Sequence, residues 1–311
     1  MTKDVLFTMN TAFREAYRIY GYNYGVGDQE ACIVGAMRGN EYQQLYICSL
    51  LSQKLAGLEA HGQIVPGKSI MLIPSLNYSA MNANHKFWLS DDTDINREFP
   101  GNPRGTATSR IANAIFSIVK NYRYGIQFPS FYLQGRYIPH VRMMQTGHES
   151  TNLANLFGLP YVITSDIRSF DTTTLNYNWQ IAGTDAFSIY SGGTERINQK
   201  DAEIAVSSVL RFLSRMGIIH YNCQGGYMPT VMQEEEMLSI KADDAGFFHQ
   251  LVGTNEEVHR GQKLADIIDP MDGRTVSEVV APADGIIFFV QEQPMIYQNV
   301  VIYKMIKKLH L

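Results

Sequence analysis

The sequence predicts an α/β fold: a mixed sheet with helices on both faces, followed by a C-terminal β-barrel or sandwich. Three observations carry that expectation. Apolar runs that read as buried strands alternate with helical periods up to about residue 217. The first strand–helix–strand unit implies a right-handed crossover into a parallel or mixed sheet. Beyond Gly217 helical periods vanish until the last residues, and short apolar runs alternate with Gly and Pro. The expected division is an α/β domain over 1–220 and a β-rich domain over 221–311.

Taken in order, residues 5–24 mix apolar and aromatic side chains and read as an early strand or hairpin. Ala31 to Gly35 is a buried strand, and Gly39 lets the chain turn after it. A helix is expected from Glu41 to Leu58, with Leu45, Leu51, Leu55 and Leu58 near a helical period. Gly62 and Pro66-Gly67 mark a loop before the strand around Met71. Met81 to Asp92 reads as a loop carrying His85, Lys86 and Trp88. Thr108 to Lys120 is a helix, Tyr124 to Phe131 a strand, and Gly135 to Thr146 a polar loop. Asn152 to Phe157 reads as helix, Tyr161 to Thr164 and Ala186 to Tyr190 as strands, and Asp201 to Met216 as an amphipathic helix.

A chain of 311 residues with 45% hydrophobic side chains has ample material for a core. Its 26 basic and 30 acidic side chains leave a net charge of −4, so neither nucleic acid nor an anionic membrane is an expected partner. Cys32, Cys48 and Cys223 are far apart and read as buried thiols in a reducing compartment. The first residues lack a signal-peptide pattern, and no apolar run reaches membrane-spanning length. The expectation is a soluble, cytoplasmic protein.

The chemistry centres on Asp94-Ile95-Asn96-Arg97-Glu98-Phe99-Pro100-Gly101. A guanidinium beside a carboxamide is a fork that grips a carboxylate with several donors. In sheets of this kind ligands gather at the carboxyl ends of the strands, which brings Arg38 and Glu41 toward the same place. Arg38, Lys86, Arg97, Arg136 and Arg142 form a candidate anion-binding set. The simpler reading of each is a surface charge, with Arg97 pairing with Asp94 or Glu98 to hold its loop. Ser130, Ser188 and Ser191 have no nucleophile-elbow setting.

Strand, Gly turn, strand, Asn-Arg-x-Phe-Pro-Gly, Phe157-Gly158-Leu159-Pro160 and Gly192-Gly193 occur here in an order that resembles the succinylglutamate desuccinylase/aspartoacylase family, relatives of the M14 zinc carboxypeptidases. The resemblance extends to the C-terminal β-rich segment. It implies a zinc-carboxypeptidase-like fold and Asn96 and Arg97 as the pair that holds a substrate carboxylate. It also implies zinc in the family, but its first ligand, a His, is Arg38 here, and its third aligns with Pro129. Glu41 matches the second ligand, and the general-base Glu aligns with Tyr190.

Because a catalytic zinc site usually needs three protein ligands, no cofactor is expected. Arg38 is instead expected to pair with Glu41, replacing the metal by a salt bridge; the alternative is a displaced metal site drawing on His85, His140 or His148. Two functions follow. One is a hydrolase of N-acyl amino acids or terminal amides, with Tyr190 as a candidate acid. The other is a catalytically inactive relative that binds a small carboxylated molecule or a partner protein through Asn96, Arg97, Arg38, Lys86, His140 and Arg142.

Overall fold

The computed structural model describes residues 1–10, 15–131, 133–223 and 225–308. Strands β1 (Thr2–Met9), β2 (Tyr17–Gly25) and β3 (Gly27–Ala36) lead into helix α1 (Tyr42–Ala60) and strand β4 (Gly67–Ser75). Helices α2 (Tyr78–Asn82) and α3 (Ala107–Val119) precede β5 (Tyr124–Gln127) and β6 (Gly135–Met144). Next come α4 (Thr151–Ala154), β7 (Tyr161–Ser165), α5 (Leu175–Ile181), β8 (Asp185–Gly192) and α6 (Gln199–Arg215). The remainder is mostly strand: β9 (Thr230–Gln233), β10 (Leu238–Lys241), β11 (Gly246–Gln250), β12 (Glu257–Val258) and β13 (Lys263–Ile268), then β14 (Thr275–Val280), β15 (Gly285–Gln291), β16 (Met295–Ile296) and β17 (Val301–Lys307).

The main sheet runs β1-β2-β4-β3-β5-β8-β6-β15-β17-β10, with β7 also on β6, β9 on β7 and β12 on β15. Its centre is parallel: Ile33 of β3 lies opposite Leu72 of β4 and Ile126 of β5, and Ile126 opposite Phe187 of β8. Alternate residues of β3 then face opposite layers, as the two-residue strand period requires. Ala31 and Ile33 pack with Leu51 and Leu55 of α1 and Val209 and Leu213 of α6. Cys32 and Val34 pack with Ile111 and Ile115 of α3 and Trp179 of α5. Each such fully buried aliphatic side chain contributes about 1.5–3 kcal/mol. Gln43 ties the first layer together: its amide donates to the Asn198 carbonyl and accepts from the Asn198 N–H, at 3.1 and 2.8 Å. Asn198 is itself the N-cap of α6.

The C-terminal strands form two groups. Strands β10, β15 and β17 extend the main sheet through antiparallel pairing of Phe289 with Tyr137 on β6, while β14-β13-β11-β16 make a separate antiparallel sheet. The last strand among the described residues is β17.

Two expectations need correction, and one element had no expectation. Gly135 to Thr146 is not a polar loop: over Gly135–Met144 it is strand β6, paired with β7, β8 and β15. Its polar residues His140 and Arg142 are buried, and Pro139 falls where the register with β8 shifts, a position that tolerates a missing N–H. Strand β5 stops at Gln127 rather than Phe131, and the sequence reading has no counterpart to α5.

The Asp94–Gly101 loop rests directly on α3. Gly101 has φ +83°, and a Cβ built there would come within 2.2 Å of the Asn113 N and 2.4 Å of the Ser109 O. Only a glycine fits both the left-handed backbone and that approach. Gly101→Ala should therefore lower stability by about 2–4 kcal/mol through backbone strain and overpacking. Denaturant unfolding measures this; an unchanged midpoint contradicts the packing described.

Candidate functional site

Above the carboxyl ends of β3, β5 and β8 lies a cavity of about 170 Å³, walled by loops that follow strands. Asp94 sets one wall. Its Oδ1 caps the short turn Ile95–Arg97 by accepting from the Asn96 N–H at 3.0 Å, and its Oδ2 accepts from Arg38 at 2.7 and 3.1 Å. Asn96 is buried, and its Oδ1 accepts the Leu175 N–H at 3.1 Å, so this carboxamide pins the start of α5.

Arg38 follows β3 and is also buried. Its Nη1 meets Glu41 at 3.1 Å and donates to the Ser130 Oγ at 2.9 Å. Burial alone would lower the Arg38 pKa, but the carboxylates of Glu41 and Asp94 outweigh it and push the pKa above its ordinary range. Fully buried Glu41 has both oxygens engaged: Oε2 accepts the N–H groups of Met37 and Arg38 at 2.7 and 3.1 Å, and Oε1 takes Arg38 and Ser130. The expected Arg38–Glu41 pair is present, with Asp94 and Ser130 added to it.

Arg97 pairs with neither Asp94 nor Glu98. Its Nη1 donates to the Phe170 carbonyl at 2.8 Å and stands 3.8 Å from the Asp171 Oδ1. Arg168 reaches the other oxygen of Asp171 at 3.1 Å. Both guanidiniums lie over the Phe170 ring, 5.0 and 4.7 Å from its centroid. Two half-exposed cations thus share one buried carboxylate at the cleft. Arg168, Phe170 and Asp171 were absent from the sequence reading. The signal available was position: they follow β7 directly, where ligands collect at strand ends.

Deeper, Arg142 lines the cleft and is ion-paired with Glu234, which Lys304 also reaches at 2.7 Å. Burial would raise the Glu234 pKa, but hydrogen bonding and charge from Arg142 and Lys304 bring it down to about 2. Tyr190 lines the cleft too, and burial raises its pKa, so the phenol stays protonated. Lys86 is exposed on the rim, its Nζ 5.3 Å from the Phe87 ring centroid.

His140 does not reach this cavity. It is stacked on Tyr190 with centroids 5.2 Å apart, and its Nδ1 is 2.8 Å from the Ile138 carbonyl. His85 stands exposed beside Asp92 at 3.5 Å, and His148 is exposed. These three do not gather into a metal site. Arg136 also lies elsewhere, paired with Asp201 at 3.1 Å.

With this geometry in view, the comparisons are specific. A profile of the succinylglutamate desuccinylase/aspartoacylase catalytic domain matches residues 28–216. The chain belongs to this family. A curated relative, N-alpha-acetyl-L-2,4-diaminobutyric acid deacetylase of Halomonas elongata, is 22% identical over 83% of this chain and 76% of its own length. Among solved structures, a succinylglutamate desuccinylase/aspartoacylase from Rhodobacter sphaeroides has a TM-score of 0.76 at 20% identity, covering 94% of this chain and 90% of that one. An aspartoacylase family protein from Mesorhizobium loti has a TM-score of 0.77 at 17% identity, covering 100% and 95%. These likenesses establish the shared fold. No helix among the described residues is long and apolar enough to cross a membrane.

The zinc that the family implies does not fit the donors present here. Among the described residues no three His, Cys, Asp or Glu side chains are grouped to hold a metal. Glu41, the residue that the resemblance sets at a ligand position, has its lone pairs directed at Arg38, Ser130 and two backbone N–H groups. A guanidinium keeps its charge at any working pH and opposes a dication beside it.

His140 provides a pH test. Burial holds its pKa down to about 3, with Arg142 and Lys304 also disfavouring the charged ring while Glu234 and the Ile138 carbonyl favour it; Tyr190 covers its face. The unfolded chain takes up a proton near pH 6.5 that the folded chain refuses. This site's contribution is therefore present above about pH 6.5 and is lost progressively as pH falls toward 3. His140→Asn should flatten the decline in melting temperature between pH 7 and pH 4.5. Parallel slopes for the two proteins would refute the assignment.

Proposed function

We propose that the cleft binds a small carboxylated molecule, of the N-acyl amino acid kind, without zinc-dependent hydrolysis. The observation that carries this is the pair Arg97 and Arg168 sharing Asp171: two guanidiniums for one carboxylate leave a positive surplus facing the cavity. Charge-assisted hydrogen bonds to a ligand carboxylate are worth roughly 1.5–3 kcal/mol each. Arg38 contributes to shape rather than to ligand charge, because Glu41 and Asp94 already saturate it. Tyr190 and Ser130 supply neutral hydroxyl groups along the same surface.

A second reading, hydrolysis of an N-acyl amino acid, is favoured by the family and by the Halomonas relative, which is named a deacetylase. Elemental analysis and an acyl-release assay with added zinc separate the two. The binding reading expects no stoichiometric zinc after dialysis and no release of acid from N-acetyl or N-succinyl amino acids. One retained zinc per chain with turnover would overturn it.

Arg97→Ala tests the grip itself. Affinity for carboxylated ligands, measured by calorimetry, should fall roughly 10–100-fold, consistent with the loss of one or two charge-assisted bonds. The melting temperature should change little, since Arg97 is half-exposed and its contacts lie at the surface. Unaltered affinity with a large loss of stability would assign Arg97 to holding the loop.

A further inference from the structure

Three arginines among the described residues are equally buried, at 8% exposure: Arg38, Arg142 and Arg211. The first two have carboxylates against them. Arg211, on α6, is paired with no carboxylate among the described residues. Its Nη1 donates to the Phe157 carbonyl at 2.7 Å, and its buried Nε has no acceptor. Burial lowers its pKa, and the groups that act on it are Cys223, Arg215 and Tyr221, none of them a carboxylate. The shift is opposite in direction to those of Arg38 and Arg142. A guanidinium stays charged, so an unpaired one in this setting is costly, and an arriving anion relieves the cost.

An anion has a way in. Arg211 lines a cavity of about 320 Å³ between α6 and the main chain at Gly158 and Gly226. A Cβ on either glycine would come within 2.9 or 3.0 Å of the Arg211 side chain, so backbone closes on the guanidinium while the Phe157 carbonyl holds it. Lys200 is exposed at the same cavity, and Arg215, one turn beyond Arg211, donates to the Leu156 carbonyl at 3.0 Å. Glu203, exposed, is the one acid among the lining residues, and it is not among the charges acting on Arg211. A second cavity of about 600 Å³ shares Lys200, Ile204 and Tyr227 with the first and continues past Tyr161 and Met228. Tyr227 and Met228 are 67% and 97% exposed, which makes that stretch apolar and open to solvent. These volumes suit a small molecule. Neither cavity shares a lining residue with the cleft above β3, β5 and β8.

We propose that this groove along α6 is a second binding site, for a small molecule that sets one oxyanion, carboxylate or phosphate, on Arg211 and Lys200 and lays an apolar or aromatic body over Ile204 and Tyr227. A planar guanidinium with unfilled donors takes either oxyanion in the same geometry. The exposed Tyr227 ring offers a face on which a second ring can stack. The site is independent of the carboxylate grip at Arg97 and Arg168.

Calorimetric titration at constant ionic strength tests it, with benzoate and phenyl phosphate as probes and acetate and inorganic phosphate as the same oxyanions without a body. The wild-type protein should bind at least one aromatic probe several-fold tighter than its bare oxyanion, and the stronger probe identifies the oxyanion. Arg211→Met should weaken that probe about tenfold or more, the loss of one charge-assisted contact. The probe should also raise the melting temperature of the wild type and not that of Arg211→Met. Should Arg211→Met fail to fold, two exposed positions carry the test: Lys200→Gln should weaken the probe several-fold, and Tyr227→Ala should erase the advantage of the aromatic body. Arg97→Ala should leave this binding unchanged, which separates it from any carboxylate held in the cleft. The proposal is overturned if the only binding seen is lost in Arg97→Ala, or if affinity survives at both Arg211 and Lys200. It is also overturned if sedimentation shows a dimer that Arg211→Met dissociates, since a second copy then supplies the counter-charge.

Discussion

The guanidinium of Arg38 lies between Glu41 and Asp94, and the arrangement of the cleft depends on that contact. Glu41 opens α1, Asp94 caps the turn that presents Arg97, and Ser130 follows β5, so one side chain links three elements distant in sequence. The cost of burying Arg38 is offset because both carboxylates are close and hydrogen-bonded. Removing either acid would leave an uncompensated buried charge, the costly outcome for such networks. The ion-pair network of Arg38, Glu41 and Asp94 thus joins the end of β3 to the loop that carries Arg97.

The remaining charges divide according to burial. Asp171 and Glu234 are each surrounded by two cations, while Arg38 is surrounded by two carboxylates. Their distribution is uneven, and it gathers cations around the cavity in a chain with net charge −4. Local arrangement, rather than overall composition, sets the sign of the field inside a cleft.

Much of the fold was legible because its signals are local. The continuous apolar run Ala31–Val34 and the helical periods of α3 and α6 follow directly from which side chains meet the core. β6 was not legible. His140 and Arg142 look like loop residues until Tyr190 and Glu234, far along the chain, are seen to cover them. The same holds for the site. Asn96 and Arg97 could be singled out from their motif, and Arg38 facing Glu41 from their spacing. Asn96 proved to hold α5, and the partner that gives Arg97 its surplus, Arg168, lies in a loop whose proximity only the sheet topology reveals. Spacing along a chain identifies neighbours within an element; it carries no information about which loops close over the same strand ends.

The Arg142–Glu234–Lys304 cluster draws on β6, the turn after β9, and β17, with partners 92 and 70 residues apart in the chain. Contacts of such long sequence separation form late, because their loop-closure entropy must be met first. During synthesis, the strands and helices up to α6 can emerge and pack while Arg142 still awaits both partners. Every side chain lining the cavity precedes α6, so a chain interrupted before β17 would keep that wall and most of the central sheet but leave Glu234 without Lys304.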